Sequence, residues 1–387
     1  MPFSLSTNFD HNLITQVKNF DIKKIYGKLS RDIFGGGRSS VLLPEVSRKH
    51  IKEHVEIAHK NGIEFDYLLN STCINNIEHT KAGLKAVYEE LEWLRSIKVD
   101  WITVSIPFLI EIIKKAAPEI KIGLSVSAHV DSLEKARHFE RMGVDEITLP
   151  ESLNRNFGLL KKISKNINCD IRLIATNSCV IGCPYKKYHG NYLSHTSQSN
   201  NNASSQLLVD MCYLKCTRYI LENPVELIKA CWIRPEDLQY YEDIGIKNFK
   251  LTERNKNTPA LLKTASAYYN RSYDGYLSDL LSLADSSHFL SPNFQVIFES
   301  GMFSNSSYMD AIKLYSYRKF KIRNQALNGF LEFFVNEEID CLNRNCGSEC
   351  RYCYKYINDC LEINEEENRI AMGEIDSYFK DFYDVEE

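Results

Sequence analysis

Eight short runs rich in β-branched and aromatic residues constrain this chain more than any other feature. They read FSLST (3–7), KKIYGK (23–28), FDYLLN (65–70), WITVSI (101–106), KIGLSVS (121–127), EITLPE (146–151), IRLIAT (171–176) and NFKLTE (248–253). Amphipathic stretches lie between most of them. Two of these, SRKHIKEHVEIAHKNG (47–62) and SLEKARHFERMG (132–143), open on serine and close on glycine, as capped helices do. Strand–helix alternation predicts a parallel sheet. Eight strands over about 255 residues fit an α/β, TIM-like (β/α)8 barrel, irregular at its first and last units. An open doubly wound sheet is the runner-up, but no G-x-G-x-x-G follows any strand. We therefore expect a barrel over 1–264 carrying a first cysteine site. Residues 265–387 should form a largely helical C-terminal region with a Cys-rich segment at 341–360, built from patterns such as LLKTASAYYN and YMDAIKLYSYRKF.

A net charge of −4 with interspersed signs disfavours a large nucleic-acid partner, which would call for a basic surface. The N-terminus lacks a basic segment followed by an apolar one, and no apolar run approaches the roughly 20 residues that span a bilayer. A cytoplasmic protein without membrane association is expected. In that compartment twelve cysteines suit metal or redox chemistry better than structural disulfides.

Cys179, Cys183, Cys212 and Cys216 repeat the spacing C-x3-C. The first pair follows the strand IRLIAT, so in a barrel it sits at the C-terminal rim, where active sites form. If the chain is helical there, each pair lies one turn apart on one face. Four thiolates suit zinc or a [4Fe–4S] cluster, and spacing alone does not separate the two. Core packing as small hydrophobes is the plainer reading, but polar Asn177, Ser178, Lys186 and Lys215 beside the pairs argue against it. Between the pairs, TSQSNNNASSQ (196–206) reads as a mobile loop. A second metal site is expected from Cys341, Cys346, Cys350 and Cys353, as a cluster or as a zinc knuckle. Cys360 is the spare, and Cys73, Cys169 and Cys231 read as ordinary cysteines. The C-x3-C-x2-C inside the second set has radical-SAM spacing, but too little chain follows it to build that barrel.

The segment CTRYILENPVELIKACWIRPEDLQYYEDIGIKNFKLTER (216–254) resembles the collagenase-like peptidase family, number thirty-two among peptidases of unclassified mechanism. Three features carry the resemblance, which covers roughly residues 1–260. They are a Cys-rich segment after a barrel strand, the element Cys216, Arg218 and Tyr219, and the block from Pro235 to Arg254. Members of that family resemble iron–sulfur proteins supporting oxygen-independent hydroxylation of RNA bases or a quinone precursor, with prephenate implied as an oxygen source. The resemblance implies a four-cysteine cluster, with Cys179 matching the first ligand and Cys212 or Cys216 another. It also implies that the protein works with a protein partner or as an oligomer. The family's last ligand falls here on Gln239, and its His-Gly element follows the first pair as His189-Gly190 instead of preceding it. These departures mark a divergent branch.

Other polar residues fall at strand ends, where a barrel presents its site. Asn70, His129, Glu151 and Asn177 are candidate substrate contacts, and Arg38 is a candidate carboxylate grip. Gly35, Gly36 and Gly37 before Arg38 offer backbone N–H groups to an anion, or simply a flexible turn. Glu253 and Arg254 match the family's Glu/Arg pair at the last strand. His189 and His195 flank the low-complexity loop, and His189 is a candidate proton carrier. The leading expectation is an iron–sulfur enzyme performing redox modification, oxygen-independent hydroxylation first, on a small-molecule or carrier- or peptide-bound substrate. The alternatives are a peptidase of undefined mechanism, an RNA-base hydroxylation protein and a zinc-binding scaffold. No H-E-x-x-H or G-x-S-x-G supports hydrolysis.

Overall fold

The computed structural model describes residues 2–40, 43–199, 210–281, 314, 320–337 and 339–383. All eight expected runs form strands: β1 Phe3–Ser6, β2 Ile22–Gly27, β3 Glu64–Leu69, β4 Trp101–Val104, β5 Lys121–Leu124, β6 Glu146–Thr148, β7 Asp170–Ile174 and β8 Asn248–Leu251. They pair in parallel, each with the next, and β8 pairs with β1 through Phe3–Phe249 and Leu5–Leu251, so the sheet closes into a TIM-like barrel. Successive side chains on a strand face opposite ways. Phe3, Leu5, Ile25, Phe65, Ile102, Ile122, Ile147, Leu173 and Phe249 belong to the buried apolar core.

The lower barrel is polar. Lys24 Nζ lies 3.1 Å from Glu146 Oε1, and Arg172 Nη1 lies 2.9 Å from the same oxygen and 3.6 Å from Asp66 Oδ2. Thr103 donates to Asp66, and Arg172 Nε donates to Thr148 at 3.0 Å. These groups tie β2, β3, β4, β6 and β7 together across the interior.

Helices α1 His11–Val17, α2 Arg48–Lys60, α3 Lys81–Ser96, α4 Pro107–Ala116, α5 Leu133–Arg141 and α6 Phe157–Ser164 follow the first six strands in turn. Both serines read as caps are caps. Ser47 accepts the His50 N–H and Ser132 the Lys135 N–H, while Gly62 and Gly143 end their helices at φ 71° and 88°. Ser47→Ala should cost about 1 kcal/mol of stability, read as a lower urea midpoint at unchanged slope.

The irregularity lies between β7 and β8 rather than at the ends. There the chain makes α7 Lys186–Thr196, α8 Met211–Glu222, α9 Val225–Lys229 and α10 Leu238–Glu242 before returning to the barrel, and α11 Thr258–Asn270 follows β8. Residues 264 and 265 therefore lie within one helix. Beyond it are helices Glu332–Glu337, Ile357–Cys360 and Glu365–Tyr383, with a short antiparallel pair, Lys321–Ile322 and Leu361–Glu362. Most of YMDAIKLYSYRKF lies outside the described residues. Among the described residues no helix is long and apolar enough to cross a membrane.

Candidate active site at the C-terminal rim

The loop after β7 is not helical. Cys179 and Cys183 lie in irregular chain on either side of a turn at 181–182, and α7 begins only at Lys186, so this pair does not share a helical face. Asn177 shapes the turn by accepting the Cys179 N–H at 3.1 Å. The second pair does lie one turn apart, on α8. Asp210 caps that helix, accepting the Tyr213 N–H at 2.9 Å, and its other oxygen is 2.6 Å from His189 Nε2. His189 is thereby tied to the start of α8, and His195 lies in the last turn of α7.

None of the twelve cysteines is in a disulfide. Burial, then Asp210 and then Cys183, push the Cys212 thiol up to about 12, and Cys216 adds to this. Cys183, Cys212 and Cys216 thus share one electrostatic neighbourhood. Among the described residues no three cysteine sulfurs lie within 4.8 Å of one another. Zn–S bonds of about 2.3 Å would place four sulfurs roughly 3.8 Å apart, so no closed zinc tetrahedron is drawn up here. A cubane takes one cysteine at each of four irons, and its ligands stand wider. The donor set is chemically suited to such a group.

Cys179 and Cys183 line a cavity of about 110 Å³ with His129, Glu151, Lys186, Cys231 and Leu342. Cys231 is a member that spacing did not reveal, because it stands 15 residues beyond Cys216 on a separate loop. Burial works to raise the Glu151 carboxyl, but the Lys186 ammonium and hydrogen bonds, Cys179 included, outweigh it and hold the acid low. Burial would lower the Lys186 ammonium, but Cys179 and Glu151 push it upward. His129 turns into the cavity from a left-handed position, φ 50°, and burial followed by Lys186 and Lys187 lowers its pKa.

The β1–β3 side of the rim is arranged differently. Gly35 N–H donates to Asp32 at 2.8 Å, Gly36 N–H to Ser197 Oγ at 2.9 Å, and Gly37 N–H leans on Asn70 Oδ1 at 3.4 Å. The three amides are engaged within the protein, so of the two readings of this run neither an open anion cradle nor a loose turn is formed. Lys28 bonds Asp32 at 2.8 Å, and Tyr67 donates to the other Asp32 oxygen at 3.2 Å. Residues 197–199, read as the start of a mobile loop, are instead held here: Gln198 is fully buried and donates to Phe34 O and Cys73 O. Residues 200–206 lie outside the described residues.

Arg38 Nη2 meets Glu253 Oε1 at 2.6 Å. Glu253 has φ 111°, in the region that non-glycine residues rarely adopt. Arg254 is 6% exposed, and its Nη1 is buried without a partner. Burial first, then the charge of Arg38, bring Arg254 down to about 10. Arg38 pairs with Glu253, while Arg254 feels the charge of both from its buried position. Arg38 also lies within the field of Cys179.

The C-terminal cysteines adjoin this rim. Cys346 and Cys350 bridge across a turn in which Gly347, φ 101°, donates to Cys350 O at 2.8 Å, a knuckle-like fold. Burial raises the thiols of Cys231, Cys341 and Cys353. Cys231 and Cys341 each feel Cys346 and Cys353, and Cys353 feels Cys346 and Cys350. Cys360 is buried apart, 3.5 Å from Ala326 O. Gln239 faces Asp243 and Arg271 on the surface, away from the sulfurs. Arg218 holds the final helix through Asp376 at 2.9 Å.

The sequence model described as Peptidase family U32 matches residues 38–295, two thirds of the chain. The chain belongs to peptidase family U32. This U32 chain is 27% identical over 353 residues to "Uncharacterized protease MJ1657" of Methanocaldococcus jannaschii, covering 88% of this chain and 93% of that one. Among solved structures it is similar to "The Structure of the U32 Peptidase Mk0906", at TM-score 0.48 and 22% identity, covering 65% of this chain and 92% of that one. FabK from Thermotoga maritima aligns at TM-score 0.27 and 12% identity, over 50% and 55% of the two chains.

Proposed function

We propose that this U32 protein holds an iron–sulfur cluster on Cys179, Cys183, Cys212 and Cys216. With it the protein performs redox modification, by oxygen-independent hydroxylation, of a small or carrier- or peptide-bound substrate bearing a carboxylate. The supporting observation is that Arg38, paired with Glu253 at 2.6 Å, lies within the field of the Cys179 sulfur, and the residue after Glu253, Arg254, carries a buried Nη1 without a partner. A guanidinium fork suits a carboxylate in two-point contact. When bound, the cluster supplies electron transfer or an electrophilic iron. The chain's own groups hold the substrate anion on Arg254 and keep Arg38 aligned through Glu253. Lys186 and Glu151 fix the charge beside Cys179. The C-terminal set, Cys341, Cys346, Cys350 and Cys353, forms a second iron or zinc site on this reading.

The second reading is hydrolysis, in keeping with the words protease and peptidase in the relatives' names. Its specific support is Cys179 between Lys186 and Glu151, where an ammonium favours the thiolate. One sulfur cannot be both ligand and nucleophile, which makes the two readings separable.

Anaerobic purification with iron, sulfide and zinc counts tests them. The first reading expects a brown protein whose Cys179→Ala variant loses iron while Cys350→Ala loses metal independently. A colourless protein that hydrolyses peptides in air with iron chelator present, and stops doing so on Cys179→Ala, would replace it with the second.

A further inference from the structure

The geometry points to a site for a divalent transition metal at His11, His50 and His54, built on elements separate from the sulfur-lined cavity. We propose that this site takes Zn²⁺ and ties the start of α1 to the first two turns of α2.

His11 opens α1, and His50 and His54 stand one turn apart on α2. One ring nitrogen from each lies within 4.8 Å of the other two. The rings of His11 and His50 are stacked, with centroids 4.5 Å apart and planes at 14°, so metal binding requires the His11 ring to turn out of the stack and bring its in-plane lone pair onto the shared cation; the His11 and His54 centroids are 5.3 Å apart. His54 is fully buried, yet its Nδ1 has no hydrogen-bond partner, and Nε2 of His11 is likewise buried and unpartnered. Each such nitrogen carries the penalty of a buried polar atom left without a partner. One cation satisfies both.

The remaining nitrogens are held as metal-ligating histidines require. Nε2 of His50 lies 2.8 Å from Phe9 O, an acceptor only, so the proton sits on Nε2 and Nδ1 keeps its lone pair. Nε2 of His54 lies 2.8 Å from Thr7 Oγ1, which also receives the Phe9 N–H at 2.9 Å. A proton on that Nε2 leaves the buried Nδ1 as a donor to metal. Asp10 adds negative charge at hand without joining the ligands, since its oxygens accept from Asn12 N–H at 2.9 Å and Thr258 Oγ1 at 2.6 Å. Three neutral imidazoles suit zinc and its borderline-soft neighbours and do not suit magnesium or calcium, which select oxygen. His11 and His50 are only half-buried, so a fourth position opens toward solvent.

The full-length protein, stripped with chelator and reloaded with Zn²⁺ alone, is examined by zinc counting and zinc X-ray absorption. Zn–N distances of about 2.0–2.1 Å separate this site from cysteine-bound zinc at about 2.3 Å. Wild type should hold one equivalent more than His11→Gln or His50→Gln, and the nitrogen shell should vanish in both variants while any sulfur shell persists. Cys179→Ala should retain the nitrogen shell. Zinc should also raise the melting temperature of wild type by more than that of either variant, and His50→Gln keeps a donor for Phe9 O should His11→Gln fold poorly. A wild type with no nitrogen-bound zinc, or variants with undiminished zinc content, would overturn the assignment.

Discussion

Arg172→Met should lower the unfolding free energy by about 3–5 kcal/mol, the cost of removing one partner from a buried ionic group. Arg172 is fully buried and reaches Glu146, Asp66, Thr148 and, at 3.4 Å, Ser4. Its loss leaves Glu146 with Lys24, and Asp66 with Thr103. Burial alone would raise the Glu146 carboxyl, but Arg172 and then Lys24 outweigh it, so the folded group titrates below its ordinary 4.5. A depressed acid contributes stability that is present above the unfolded value and is lost as pH falls through the folded one. The wild type should therefore keep this contribution at neutral pH and lose it below about pH 4.5. In Arg172→Met the opposing charge is gone, and acid unfolding should begin at higher pH. Urea titrations across pH read both effects. An unchanged urea midpoint would mean that the interior charges are solvated rather than mutually held. Adding Glu146→Gln should recover part of the loss, because the double variant strands less charge.

Arg155→Ala should cost a similar amount, about 3–5 kcal/mol, by a different route. Arg155 is 1% exposed and donates to three successive carbonyls at the end of α9: Ile228 O at 2.8 Å, Lys229 O at 3.0 Å and Ala230 O at 2.5 Å. Its guanidinium also lies over Trp232 and Phe330, each at 4.8 Å, and over Phe334 at 5.1 Å. Truncation orphans the carbonyls and empties an aromatic cage between barrel and C-terminal region. The next residue after those carbonyls is Cys231, so the cavity wall should loosen as well. Arg155→Lys keeps a charge but not the fork, and should fall between wild type and alanine. Denaturation monitored at tryptophan, together with thiol labelling of Cys231, follows both consequences. Normal stability with faster labelling would confine the role of Arg155 to the cavity.

The barrel was legible because its signals are local. Each strand is a short β-branched run, and the serine and glycine caps of α2 and α5 lie within the segments they bound. Glu151 and Asn177 were visible as polar residues at strand ends and Arg38 as the cation after a glycine run, and the structure gives each a rim partner. What escaped was non-local. The Gly35–Gly37 amides looked available until Ser197, some 160 residues away, came to occupy one of them. Cys231 sits among the sulfurs without sharing their spacing. The three histidines come from two helices and form no motif, because only the packing of α1 on α2 brings His11 to His50. A four-residue spacing fits a helix and an irregular loop alike, and it leaves open which one holds Cys179 and Cys183; the chain takes the loop there and the helix at Cys212 and Cys216.

The wall over the cysteine loop is made by residues that follow it by more than 150 positions in the chain. Leu342 lines the same cavity as Cys179 and Cys183, and the helix Glu365–Tyr383 packs on α8 through Asp376 and through Lys215 over Phe379 at 4.2 Å. The sulfurs therefore leave the ribosome long before their cover does. Anything destined for them meets an open face first and a closed one afterwards.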